Sequence, residues 1–271
     1  FDLIAGYEDR LTVNRDHSEV MDINHAAGLH PVQVSASTYN LIKLAVYESK
    51  QNFGFNALIG PVVKLWHIGF KGAHVPTDAQ IKAKMGLTNP DDVVLDDANQ
   101  TVFLTKKGME LDLGGIAKGY IADRIRDLWR AYDVRAGIIN LGGNVLFVNS
   151  SPKRASGEWI LGVQDPKKKR GDNLTTATVH ECSAVTSGTY ERFLEINGKK
   201  YHHIIDPKTG YPVQTHVAGV TLFTRDSVQA EIECKRLFFA GGSIPGWKND
   251  KAGRYGAIFV YDDDSIERIG V

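Results

Sequence analysis

At one point in the chain the hydrophobic period changes abruptly, and this limits the fold more than any other feature. From Met109 to Leu113 apolar and acidic residues alternate, the period of a half-buried strand. From Ile116 onward Ile121, Ile125, Leu128, Trp129 and Tyr132 recur at helical spacing. Gly114-Gly115 lies between the two patterns. A strand that runs through two glycines into a helix gathers unpaired backbone N–H groups and the positive end of a helix dipole. Such an arrangement suits an anion, phosphate above all. A plain strand-to-helix turn has the same spacing, and both readings stand. The stretch matches neither G-x-G-x-x-G nor the P-loop pattern, which argues against the usual nucleotide folds.

The remaining bounds come from composition. The chain has 271 residues, 42% of them hydrophobic, enough for one large domain or two small ones. Lys plus Arg equals Asp plus Glu at 32 each, so a protein built mainly to hold nucleic acid or an acidic membrane is not indicated. The run Lys167-Lys168-Lys169-Arg170, framed by Pro166 and Gly171, reads as a solvated loop. Cys182 and Cys234 stand far apart with no C-x-x-C, which argues against thiolate zinc or redox sites. No apolar run approaches the ~18 residues of a membrane span.

Along the chain, helices are expected over Phe1–Thr12, from Ser35 or Ser37 to about Gly54, after the capping box Thr77-x-x-Gln80, after Gly115, and over Ser227–Phe239. Gly60-Pro61 reads as a turn before a packed segment. Strands are expected over Asp92–Asp97, Thr101–Thr105, Met109–Leu113, Gly137–Leu141, Val145–Val148, Trp159–Gln164, Thr175–Glu181, Lys199–Ile205, Ala218–Thr224 and Ala257–Tyr261. Asn197-Gly198 is a hairpin turn joining Tyr190–Ile196 to Lys199–Ile205. The class is α+β, with mixed, largely antiparallel sheets and flanking helices.

Two further stretches carry candidate chemistry. His202-His203-Ile204-Ile205-Asp206-Pro207-Lys208-Thr209-Gly210 ends in a tight turn whose Asp accepts backbone N–H bonds. On a strand the two histidines face opposite sides, and one of them is placed to act as a general base toward a hydroxyl. A structural histidine is the plainer reading. In Ala230-Glu231-Ile232-Glu233-Cys234-Lys235, Glu231 and Lys235 share a helix face. An ordinary ion pair or a carboxylate ligand for Mg²⁺ both fit that spacing.

Taken in order, Leu113-Gly114-Gly115-Ile116-Ala117-Lys118-Gly119-Tyr120, Leu141-Gly142-Gly143-Asn144, Thr186-Ser187-Gly188-x-Tyr190 and His203-Ile204-Ile205-Asp206-Pro207-x-Thr209-Gly210 resemble the ApbE family of flavin transferases. Ser18-Glu19-Val20-x-x-Ile23-Asn24 and Gly60-Pro61-Val62-Val63-x-Leu65-Trp66 are similar to it as well, so the resemblance runs from about Asn14 to Gly242. It implies an ApbE-like fold over 1–271, as one domain or as two intertwined subdomains.

It also implies a Mg²⁺-dependent transfer of FMN from FAD to a Thr or Ser hydroxyl of a partner protein, with release of AMP. FAD hydrolysis by water and FAD binding without catalysis are the alternatives. Carried over, His203 and Asp206 would be catalytic, and Phe55, Asn56, Ala57, Asp112, Lys118, Ser187, His203, Ile204 and Thr209 would meet the flavin nucleotide. Asn56 stands where the family usually has Asp. Gly115, Glu231 and Lys235 match the metal positions, with Glu231 in place of an Asp and Lys235 in place of a Thr. A protonated Lys cannot ligate Mg²⁺. Relatives of this kind often start with a secretion signal, a lipidated Cys and an early strand that this sequence lacks. The resemblance therefore implies export and anchoring at the outer face of a bacterial membrane.

Overall fold

The computed structural model describes all 271 residues. In chain order the helices are α1 (Asp2–Leu11), α2 (Glu19–His25), α3 (Ala36–Lys50), α4 (Gly60–Trp66), α5 (Asp78–Met85), α6 (Ala117–Ala131) and α7 (Ser227–Ala240). The strands are β1 (Val32–Gln33), β2 (Val93–Asp96), β3 (Thr101–Leu104), β4 (Gly137–Leu141), β5 (Asn144–Val148), β6 (Trp159–Gln164), β7 (Asn173–Val179), β8 (Ser183–Gly188), β9 (Phe193–Ile196), β10 (Lys199–His202), β11 (Val217–Thr224), β12 (Arg254–Tyr261) and β13 (Ile266–Ile269). All strand pairs are antiparallel, and the class is α+β. No helix is long and apolar enough to cross a membrane.

The chain divides into two compact units, Phe1–Ala117 with Arg192–Val213, and Lys118–Glu191 with Gln214–Val271. The first holds the small sheet β1-β3-β2 and the β9–β10 hairpin. Asn197 and Gly198 close that hairpin with φ of 51° and 75°, as a two-residue turn of this hand requires. Its core gathers Val62, Trp66, Ile68, Ile81 and Ile205. Trp66 is wholly buried, and its indole N–H donates to the Gly210 carbonyl at 2.8 Å.

The second unit is built on a six-stranded sheet in the order β13-β12-β11-β8-β5-β4, with β6 and β7 forming a separate ribbon. All eight residues of β11 are buried, as in a strand covered on both faces. Helix α7 packs on β8 and β11, while Val163, Ala177 and Val179 of the ribbon share a cluster with Phe223 of β11.

Three local expectations differ from the fold. Gly60-Pro61 opens α4 instead of turning, since proline needs no N–H in the first turn of a helix. Met109, Leu111 and Leu113 are fully buried as the alternation implies, but Met109–Leu113 joins no sheet. The amide of Asn24 replaces the neighbouring strand: its Oδ1 accepts the Leu111 N–H at 2.7 Å and its Nδ2 donates to the Leu111 carbonyl at 3.0 Å. Strand β10 ends at His202 because that ring folds back on the backbone, Nδ1 accepting the Ile204 N–H at 3.2 Å. Helix α2 and strand β13 carried no clear period and were not expected.

Candidate active site

In the first unit, the stretch before α6 is tied to the loop Phe55–Ala57. Ser49 Oγ accepts the Ala57 N–H at 2.9 Å, and the Ala57 carbonyl accepts the Asp112 N–H at 2.8 Å. Asn56 uses both ends of its amide here. Nδ2 donates to the Thr88 carbonyl and Oδ1 accepts the Leu58 N–H, each at 2.8 Å. An aspartate could not make the first bond. Phe55 and Ala57 are buried beside it.

The Gly-Gly turn is largely filled from within. Gly114 N–H donates to Asp112 Oδ1 at 2.8 Å, and Ile116 and Ala117 donate to the Leu113 carbonyl at 2.9 and 2.8 Å. Neither Gly114 nor Gly115 has a positive φ, so no left-handed cradle forms. The Asp112 carboxylate itself is the anion at this turn. Asp112→Ala is therefore expected to loosen the turn. Flavin fluorescence titration should report FAD affinity lower by about tenfold, the scale of one charge-assisted bond. Wild-type affinity would reduce the stretch to a structural turn.

His202 ends β10 and His203 follows it, in the same unit. His202 Nε2 lies 2.9 Å from the Val213 carbonyl, so Nε2 carries the proton while Nδ1 accepts the Ile204 N–H. Burial pushes the His202 ring below its ordinary pKa, although the Val213 contact opposes this, and the neutral ring acts as backbone glue. His203 differs. Its Nδ1 lies 3.2 Å from the Arg192 carbonyl, which makes Nδ1 the donor, so that in the neutral ring the lone pair is on Nε2. Asp206 builds the turn that follows, Oδ1 accepting the Lys208 N–H at 2.9 Å and Oδ2 the Thr209 hydroxyl at 3.3 Å. The Gly210 N–H donates to the Asp206 carbonyl at 2.8 Å, and Ile204 accepts the Val213 N–H at 3.0 Å. Asp206 thus fixes the loop that carries His203, Ile204 and Thr209.

The second unit contains Lys118, Ser187, Glu231 and Lys235. Gly119 sits against the backbone of Ser227, bringing α6 close to the start of α7. Asp123 on α6 accepts the N–H groups of Ser227 and Val228 at 2.8 and 2.9 Å, capping α7 where Asp226 makes no side-chain cap. Arg126 closes the group, donating to Asp226 Oδ1 and to the Arg225 carbonyl, both at 2.8 Å. Burial lifts the Asp123 carboxyl above the usual range against the pull of these bonds. With α7 held in this way, Glu231 is 3% exposed. Asn144 Nδ2 donates to its Oε1 at 2.9 Å, and Asn144 Oδ1 accepts the Ser227 hydroxyl at 2.6 Å. Asn144, Ser227 and Asp123 were not among the expected site residues. Only Asn144 had a sequence signal, the Gly-Gly turn before it. Ser187 on β8 is partly buried, and the Cys234 thiol beside it is pushed up to about 11 by burial, so it stays neutral.

Lys118 Nζ lies 3.3 Å from Glu231 Oε1, and Lys235 Nζ lies 3.3 Å from Oε2. Burial alone would raise the Glu231 pKa, but the two ammoniums and the Asn144 bond outweigh it and hold it below the ordinary value. The stability this gives is complete above the ordinary value of 4.5 and is lost as pH falls through the depressed one. Glu231→Gln is expected to flatten the acid limb of a melting-temperature profile. An unchanged acid limb would mean that Glu231 does not anchor this group.

A Mg²⁺ ion requires oxygen donors in near-octahedral array. No group of three His, Cys, Asp or Glu residues converges anywhere in the chain. Both Glu231 oxygens already face ammoniums, and Lys235 has no lone pair to offer while charged. Gly115, the remaining expected ligand, belongs to the first unit and Glu231 and Lys235 to the second. These residues as they stand do not fit a magnesium site.

Comparison with known proteins agrees with the motif order. The ApbE family model matches residues 1–259. A protein of Klebsiella pneumoniae (strain 342) named FAD:protein FMN transferase is 49% identical over 242 residues, covering 89% of this chain and 74% of its own. A protein of Treponema pallidum (strain Nichols) with the same name is 38% identical over 253 residues, covering 89% and 70%. The crystal structure of the ApbE protein of Thermotoga maritima superposes with a TM-score of 0.86 at 28% identity, over 98% of this chain and 86% of the other. With the family model spanning nearly its whole length, this chain belongs to the ApbE family.

Proposed function

We propose that this protein is an FAD:protein FMN transferase. The observation that carries the reading is the 49% identity, over 89% of the chain, to a relative of that name. The disposition of His203 supports it. In the proposed reaction a Thr or Ser hydroxyl of an acceptor protein attacks the FMN-side phosphorus of FAD. One P–O bond forms as the bond to the AMP oxygen breaks, and AMP leaves. The hydroxyl proton passes to His203 Nε2, while Nδ1–H keeps its bond to the Arg192 carbonyl and fixes the tautomer. Asp206 holds the loop through its turn bonds. Asp112 and the Phe55–Ala57 loop are assigned to the flavin nucleotide, and Lys118 to phosphate charge. No step is routed through Mg²⁺, because the residues at the expected positions do not fit it.

The test is to incubate the protein with FAD and candidate acceptors, and to measure AMP together with flavin that stays on the acceptor after denaturation. Equal yields support transfer. AMP without bound flavin makes water the acceptor, and no AMP under any condition leaves a flavin-binding protein.

A further inference from the structure

The charges around Glu231 are already balanced for a polyanion. Its buried carboxylate holds Lys118 Nζ and Lys235 Nζ, each at 3.3 Å, one on either oxygen. Lys235 Nζ also donates to the Glu231 backbone carbonyl at 3.0 Å, which fixes the ammonium one helical turn along α7. Two ammoniums against one carboxylate leave one net positive charge. A divalent cation on one carboxylate leaves the same. The Lys235 side chain is 19% exposed and that of Lys118 is 45% exposed, whereas that of Glu231 is 4% exposed.

We infer that the Lys118–Glu231–Lys235 group takes the place of a divalent cation in this chain, with Glu231 as the counter-ion that positions two ammoniums and not as a metal ligand. Its ligand is the pyrophosphate of a dinucleotide. Resting on the transferase reading, the inference names what meets the charge of FAD there. Lys235 is then the residue that makes this chain independent of metal. A threonine at the same place would leave Glu231 with one ammonium and provide an oxygen donor, and so would open the position to Mg²⁺.

Flavin fluorescence titrations with FAD, in EDTA and in excess Mg²⁺, test it on the whole chain. The unsubstituted protein is expected to bind FAD equally in both buffers. Lys235→Thr is expected to lose roughly 10- to 100-fold in EDTA, the scale of one charge-assisted hydrogen bond, and to recover in Mg²⁺. Lys235→Met removes the charge and supplies no donor, so it is expected to lose as much and not to recover. Lys235→Arg should keep the metal-independent behaviour. Circular-dichroism melts verify that each variant is folded, and if Lys235→Thr is not, the unsubstituted and methionine arms decide. Loss of FAD affinity in EDTA by the unsubstituted protein overturns the inference and leaves the transferase reading intact. Failure of that protein to bind FAD in either buffer overturns both.

Discussion

Replacing His203 by alanine is expected to leave FAD binding near wild type and to slow FMN transfer by ~10²–10⁴-fold, the usual contribution of a positioned general base. The neighbouring turn should survive, because it is built by Asp206, Lys208, Thr209 and Gly210 without the imidazole. His202→Ala is the control. That ring bonds the Ile204 N–H and the Val213 carbonyl, so its loss should lower the melting temperature and spare the rate per folded molecule. Stopped assays of AMP release, normalised to FAD-binding protein, separate the two effects. Equal rate losses in both variants would remove the base assignment from His203.

The second large effect is on folding. Gly119→Ala should stabilise α6 by about 1 kcal/mol if helix propensity alone decided, since glycine is a poor helix former. Packing gives the opposite sign. A Cβ at this position would lie 2.4 Å from the Ser227 carbonyl oxygen, 2.7 Å from its carbon and 2.8 Å from Val228 Cα. All three atoms belong to the backbone at the start of α7, where Asp123 also binds. None can swing away like a side-chain tip, so α7 must shift. Overpacking of this kind costs ~1–3 kcal/mol and more where backbone blocks relief. We expect a net loss of ~2–3 kcal/mol, or roughly 4–12 °C in melting temperature for a domain of this size. Weakened FAD binding should accompany it, because α7 carries Glu231 and Lys235. An unchanged or raised melting temperature would show that α6 and α7 tolerate a wider spacing.

Where bonding was local, the fold was legible in the sequence. The Thr77 and Gln80 capping box forms with both of its bonds, and Asn197-Gly198 closes its hairpin. Helix α6 begins where the period changes. What escaped was long-range bonding between side chains and backbone. Asn24 stands in for a strand beside Leu111, 87 residues away, and leaves no periodic trace. Asp123 caps a helix 104 residues further on, so a search for a cap next to α7 finds only Asp226. At the candidate site, the residue types pointed to His203 and Glu231. Only coordinates could show His203 Nδ1 donating to the Arg192 carbonyl or reveal the second ammonium, Lys118, on Glu231. The resemblance implied a metal ligand at Lys235, and the coordinates add that its ammonium lies 3.3 Å from Glu231 Oε2.

The most direct test of the central claim is the intact mass of a candidate acceptor protein after incubation with this enzyme and FAD. Transfer predicts an added mass of FMN less one water on a single Thr or Ser, one AMP released for each modified molecule, and loss of both with His203→Ala. An acceptor of unchanged mass in a reaction that still releases AMP would contradict the account, because the FMN phosphate would then have gone to water.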